Sequence, residues 1–86
     1  MREIEMDRDV IFEKLAGVIR DVFDDDSLVV TDSTTADDVD EWDSANHVRL
    51  IIAIEEEFGV RFGSDEMAAP ETVGQLVDLI RSKQPV

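Results

Sequence analysis

The run Asp43-Ser44-Ala45-Asn46-His47-Val48-Arg49-Leu50-Ile51-Ile52-Ala53-Ile54-Glu55-Glu56-Glu57-Phe58-Gly59-Val60 decides how this chain folds. Asp43 is a good N-cap, because its carboxylate can accept one of the otherwise unpaired N–H groups that open a helix. At the other end Gly59 suits the left-handed position that closes a helix, and Val60 can complete a Schellman-type contact. The run therefore predicts a helix that opens at Asp43 and continues through Phe58. On a wheel of 100° steps with Ile54 as origin, Leu50, His47, Phe58 and Ile51 fall within about 60° and make a core stripe. Val48, Ile52 and Ala45 gather at roughly 120° to 180°, flanked by Glu56 and Arg49. A small domain needs only one buried face on such a helix. The second stripe is either covered by the last helix or the preceding loop, or it is a docking strip with an apolar centre and a charged rim.

On the N-terminal side, Ile11, Leu15, Val18, Ile19 and Val22 repeat at i, i+4, i+7, i+8 and i+11, which predicts a first helix over Val10 to Phe23. Asp24-Asp25-Asp26 ends it, since three carboxylates meet the unfavourable end of the helix dipole. From Ser27 to Glu41 a Leu28-Val29-Val30 anchor precedes Thr31-Asp32-Ser33-Thr34-Thr35, whose side chains compete for backbone hydrogen bonds. That stretch reads as a long ordered loop, because no second β-rich run offers a strand partner. On the C-terminal side, Ser64-Asp65-Glu66 suggests one short helical turn between Gly63 and Ala69, and Pro70 breaks the chain. Thr72 and Gln75 form a capping-box pattern, and Val73, Leu76, Val77 and Ile80 predict the last helix. The expectation is one all-α domain over residues 1–86, with three principal helices, a short third helix and a long first loop.

Composition narrows the partners. The 86 residues carry 22 Asp and Glu against 8 Lys and Arg, a formal net charge of −14, with no cysteine. Such a chain repels phosphate backbones and anionic membrane surfaces, so nucleic-acid and membrane binding are excluded as expectations and basic protein surfaces are favoured. Without cysteine there is no disulfide framework, thiolate metal site or cysteine nucleophile. Hydrophobic residues at 43% are too many for a disordered chain, and the N-terminal residues show no signal-peptide core. The reading is a cytoplasmic protein. The charge also clusters: Asp37, Asp38, Asp40, Glu41, Asp43, Glu55, Glu56, Glu57, Asp65 and Glu66 surround the second helix, against Arg49 and Arg61 alone.

Ser44 is the residue with the most chemistry in its position. It follows the Asp43 cap on the first turn of the helix, where the helix dipole and unpaired N–H groups favour an anion, so a phosphate esterified there would be well placed. Asp26-Ser27 and Asp32-Ser33 are the same dipeptide, but neither opens a periodic helix. A hydrolase pairing Ser44 with His47 is rejected, since their directions diverge by about 60° and no Gly-x-Ser-x-Gly elbow is present. His47 is instead expected to be a partly buried helix residue. Calcium loops beginning at Asp24 or Asp32 fail for want of glycine at the sixth position, and no metal site is expected.

Taken together, the Ile11-to-Phe23 helix, the acidic loop, Trp42-Asp43-Ser44, the run Val48 to Val60 and Thr72-Val73-Gly74-Gln75-Leu76-Val77 resemble the acyl carrier protein family. Its signature is Asp-Ser-Leu at the start of the second helix of a four-helix bundle. The resemblance implies that Ser44, preceded by Asp43, receives 4′-phosphopantetheine from coenzyme A through a phosphopantetheinyl transferase, and that the arm's thiol holds an acyl group as a thioester. Ala45 stands where leucine is usual. The approach Asp38-Val39-Asp40-Glu41-Trp42-Asp43-Ser44 lacks the family's glycine and has one residue more than Asp-Leu-Gly-x-Asp-Ser. Trp42 resembles freestanding carriers of specialised pathways, and it also suits packing the loop onto the bundle.

On this reading the protein is not an enzyme. It is a monomeric carrier serving fatty-acid, polyketide or specialised lipid synthesis. Its partners are the transferase and acyl-loading and acyl-accepting enzymes with basic surfaces, met through Ala45, Val48, Ile52 and Glu56. Leu50, Ile54 and Phe58 hold the core. An aminoacyl or peptidyl carrier is the alternative of the same class, and an unmodified acidic adaptor the alternative of another.

Overall fold

Helix α1 spans Arg8–Phe23, starting earlier than the predicted Val10 because Asp7 caps it: the Asp7 carboxylate accepts the Val10 N–H at 3.1 Å. Its end is set by backbone geometry as well as by charge. Asp24 adopts the left-handed conformation with φ 54°, and the N–H groups of Asp24 and Asp25 donate to the carbonyls of Asp21 and Arg20. The Arg20 side chain then reaches past the turn to donate to the Leu28 carbonyl at 2.9 Å, which fixes the direction of the outgoing loop. The structure, a computed structural model, describes residues 7–83. Over these residues α1 is followed by a short 3₁₀ turn at Ala36–Asp38, α2 (Ser44–Phe58), α3 (Ser64–Ala68) and α4 (Val73–Lys83), with no strand among them.

The core is where the periodicity put it. Ile11, Leu15 and Ile19 of α1, Leu50, Ile51, Ile54 and Phe58 of α2, and Val73, Leu76, Val77 and Ile80 of α4 are buried together. Helix α1 packs on both α2 and α4, so its stripe is shared between two neighbours. Val18 and Val22, expected on that stripe, lie at its margin and are only partly buried, whereas Ala16 and Phe23 are buried. Each fully buried aliphatic side chain contributes about 1.5–3 kcal/mol relative to exposure, so this stripe carries much of the stability of a small domain.

The long loop is ordered, as expected, but its anchors differ from the Leu28-Val29-Val30 triplet. Val30 is buried, Leu28 is half-buried, and Val29 is 77% exposed because successive residues of an extended segment point to opposite sides. A second anchor, Val39, is buried beyond the 3₁₀ turn. Between the anchors the buried Thr34 hydroxyl accepts the Thr31 N–H at 2.9 Å. The carbonyls of Thr34 and Asp32 accept the N–H groups of Val73 and Gly74 at 2.9 and 2.8 Å. The loop therefore supplies acceptors for the N-terminus of α4. Thr72 completes the cap through Gln75 N–H at 3.1 Å, while the Gln75 side chain accepts from Glu71 N–H rather than from Thr72. Arg8 clasps the same corner by donating to Asp78 and Asp32 at 2.9 and 3.1 Å and to the Gly74 carbonyl at 3.2 Å.

At the end of α2, Gly59 takes the left-handed position at φ 67°, and Gly59 and Val60 N–H both donate to the Glu55 carbonyl. Helix α3 occupies the predicted short turn and is held by side chains more than by packing. Glu66 accepts the Gly63 N–H at 2.9 Å and pairs with Lys83 of α4 at 2.8 Å, and the Lys83 ammonium lies 5.6 Å from the Phe62 ring centroid. Among the described residues no helix is long and apolar enough to cross a membrane.

Two predictions follow from this corner packing and this tether. A Cβ added at Gly74 would sit 3.1 Å from the Asp32 carbonyl oxygen and 3.1 Å from the Arg8 guanidinium. Overpacking of about 1–3 kcal/mol outweighs the helix propensity of up to about 1 kcal/mol that alanine adds, so Gly74→Ala should lower stability by about 1 kcal/mol in urea unfolding. The second concerns acid. The Gly63 N–H and then the Lys83 ammonium hold the Glu66 carboxyl below its ordinary value of 4.5. A folded-state value below the unfolded one means the α3 tether is complete above that ordinary range and is lost as pH falls through the lower folded value. Amide exchange at Gly63, corrected for its intrinsic pH dependence, should therefore lose protection on going from neutral pH to about pH 3.

Candidate functional site

The site is built by the cap of α2. Asp43 has extended backbone and its carboxylate accepts the Asn46 N–H at 2.9 Å, while the Asp43 carbonyl accepts the His47 N–H at 2.8 Å. The Asn46 side chain turns back to donate to the Glu41 carbonyl at 2.7 Å, locking the approach to the helix. Ser44, the first helical residue, is left exposed, and among the described residues its hydroxyl makes no hydrogen bond. Asp43 takes only the Asn46 amide. The amides of Ser44 and Ala45 have no acceptor among the described residues, which is what a phosphate on the serine oxygen requires of its surroundings.

Beside the serine, Trp42 packs the loop onto the bundle, its ring centroid 5.6 Å from that of Phe23. The Trp42 indole N–H donates to His47 Nδ1 at 3.0 Å, and His47 Nε2 lies 2.7 Å from the Met67 carbonyl oxygen of α3. His47 is half-buried, as expected, but its role in joining three segments was not foreseen. A tryptophan five residues before a histidine across a helix start is a usable signal; nothing in the sequence marks Met67, whose backbone is the partner. Ser44, Asp43, Trp42 and His47 share a shallow surface hollow with Ala36, and Trp42, His47 and Ala36 continue into a second one lined by Pro70, Glu71, Thr72 and Leu76.

The second apolar stripe of α2 is uncovered. Val48 is 46% and Ile52 50% exposed, and Ala45 is exposed, so neither α4 nor the loop covers them. Ile52 borders a hollow formed with Arg49, Ala53 and Glu56 and with Asp21 and Val22 of α1, which extends the strip onto the first helix. The acidic field divides once geometry is known. Glu55 accepts the Phe62 N–H at 2.9 Å, Glu57 pairs with Lys14 at 3.5 Å, Glu66 with Lys83, and Asp38 accepts the Thr35 N–H. Asp37, Asp40, Glu41, Glu56 and Asp65 remain exposed charges around the strip and the serine.

This geometry matches a known class. A family model described as phosphopantetheine attachment site matches residues 13–80, a span that contains the α2 cap and all of the buried core but Ile11. The chain is 36% identical over 79 residues to an acyl carrier protein of Lactobacillus acidophilus, covering 92% of this chain and 99% of that one. It is 35% identical to one from Thermosynechococcus vestitus, covering 91% and 96%. Among solved structures, a holo acyl carrier protein from Geobacter metallireducens superposes with a TM-score of 0.80 at 40% identity, covering 85% of this chain and 84% of that one. The chain therefore belongs to the acyl carrier protein family, carriers built around a phosphopantetheine attachment site.

Proposed function

We propose that residues 1–86 form a single carrier domain in which Ser44 bears the 4′-phosphopantetheine arm. The observation that carries this reading is the exposed Ser44 hydroxyl, without a hydrogen bond among the described residues, at the capped N-terminus of α2 and within the span of the family match. When bound, the arm supplies a thiol that holds an acyl group as a thioester, a group this cysteine-free chain lacks. In the attachment step the Ser44 oxygen forms a bond to the phosphorus nearer the pantetheine of coenzyme A. The pyrophosphate bond breaks, the nucleotide leaves, and the transferase takes the hydroxyl proton. The chain contributes the positioned nucleophile and backbone donors; Asp43 fixes the first turn so that the serine stays outward.

The partners are the phosphopantetheinyl transferase and biosynthetic enzymes that load and accept acyl groups, in fatty-acid, polyketide or specialised lipid synthesis in the cytoplasm. Ala45, Val48, Ile52 and Glu56 form the docking strip, an apolar centre within exposed carboxylates that suits a basic partner surface. Ala45 makes that centre shallower beside Ser44 than a leucine would. The chain itself catalyses nothing on this reading. It works as a monomer that delivers cargo.

Intact mass after incubation with coenzyme A and a broad-specificity transferase should rise by one phosphopantetheine, and Ser44→Ala should abolish the gain. An unmodified adaptor would show no gain with an active transferase, and an aminoacyl or peptidyl carrier would gain the arm but accept an aminoacyl rather than an acyl load. Replacing Ile52 or Val48 by aspartate should cut the rate of transfer about tenfold or more while the free energy of unfolding stays within about 0.5 kcal/mol of the original. Loss of folding in these variants would mean the strip belongs to the core.

A further inference from the structure

We propose that His47 is a positioning residue for the attachment reaction: as a neutral imidazole protonated on Nε2, it fastens the segment around Ser44 to α3. The proposal rests on the assignment of Ser44 as the attachment site. An indole N–H can only donate, so Nδ1, 3.0 Å from the Trp42 Nε1, must present its lone pair. A backbone carbonyl can only accept, so Nε2, 2.7 Å from the Met67 oxygen, must carry the proton. Of the three states open to a histidine, only the neutral Nε2–H form satisfies both partners. The cation would set an Nδ1 proton against the indole proton, and the other tautomer would leave both contacts wrong. The two rings lie nearly parallel, 21° apart with centroids separated by 6.2 Å, which suits an in-plane bond between them.

The bridge brackets the serine. Trp42 stands just before Asp43, His47 follows one helical turn after Ser44, and Ser44 itself makes no side-chain hydrogen bond among the described residues. Loop, α2 and α3 are thus tied by one ring at the point where the transferase must find a hydroxyl. The charged residues that line the two hollows around Trp42 and His47 are Asp43 and Glu71, and among the described residues neither hydrogen-bonds to the Trp42 indole or the Met67 carbonyl. Small displacements of a reacting group have large rate consequences, so loosening this bridge should slow modification without removing the nucleophile.

The test uses the full-length apo protein. Long-range nitrogen-15 spectra of His47 at neutral pH should show a single neutral tautomer with Nε2 protonated; the other tautomer or an average of the two overturns the bridge. Three variants then divide its halves. His47→Asn places an acceptor where Nδ1 was, His47→Gln places a donor where Nε2 was, and His47→Phe keeps neither. Exchange of the Trp42 indole proton should stay slow in the Asn variant and accelerate about tenfold in the Gln and Phe variants, the scale of one lost hydrogen bond. The initial rate of phosphopantetheine incorporation should fall about tenfold in the Phe variant, with smaller losses in Asn and Gln. If the wild type is modified and His47→Phe is modified equally fast, the positioning role is overturned while the attachment reading stands. If the wild type is not modified by an active transferase, the attachment reading fails and this inference with it. Should His47→Phe not fold, the Asn and Gln variants and the wild-type tautomer still decide the outcome.

Discussion

One apolar stripe on α1 serves two helices, and that sharing governs the architecture. Ile11, Leu15 and Ile19 are fully buried because α2 closes over one side of the stripe and α4 over the other. A chain this short has no residues to spare for a second core, so each helix must spend its best apolar face here. For α2 the commitment of Leu50, Ile51, Ile54 and Phe58 to α1 turns Val48 and Ile52 to solvent, since the two sets lie on different faces of one helix. The exposed strip proposed as the docking surface is thus a by-product of how the core is satisfied. The serine inherits its position in the same way, as the first residue after a cap whose helix is held by burial further along.

Much of this was readable in the residues. The positions of α2 and α4 followed from capping chemistry and from apolar spacing, both local properties, and the second apolar stripe followed from the same wheel that located the core, while its exposure became plain only in the fold. Ser44 was distinguishable from Ser27 and Ser33 because only it opens a periodic helix. What was not readable depended on partners distant in sequence. Val39 is buried against elements that its neighbours do not announce, and Val29 is exposed although it sits inside an apolar triplet. The His47 bridge ends on a backbone carbonyl twenty residues away, and any residue at position 67 would offer the same atom. The early start of α1 was missed for a smaller reason: Asp7 is a cap, but the apolar repeat that marked the helix begins only at Ile11.

The charge of the chain is less uniform in function than in count. Of the carboxylates around α2, Glu55, Glu57, Glu66, Asp38 and Asp43 are engaged by backbone amides or lysines within the fold. They act as fasteners for the ends of helices and for α3. Glu56, Asp37, Asp40, Glu41 and Asp65 are left to set the outward field, and Arg49 interrupts it within the strip itself. A partner that complements this face needs a base-rich surface with an acidic notch opposite Arg49, which is a narrower demand than positive charge alone.

The carbonyls of Asp32 and Thr34, which accept the first amides of α4, make the long loop and the last helix one construction unit despite some forty residues of separation. In a chimera of two carriers, the loop and the opening of α4 would have to be grafted together. A loop transplanted alone, or lengthened by one residue before Asp32, would bring the wrong carbonyls to Val73 and Gly74.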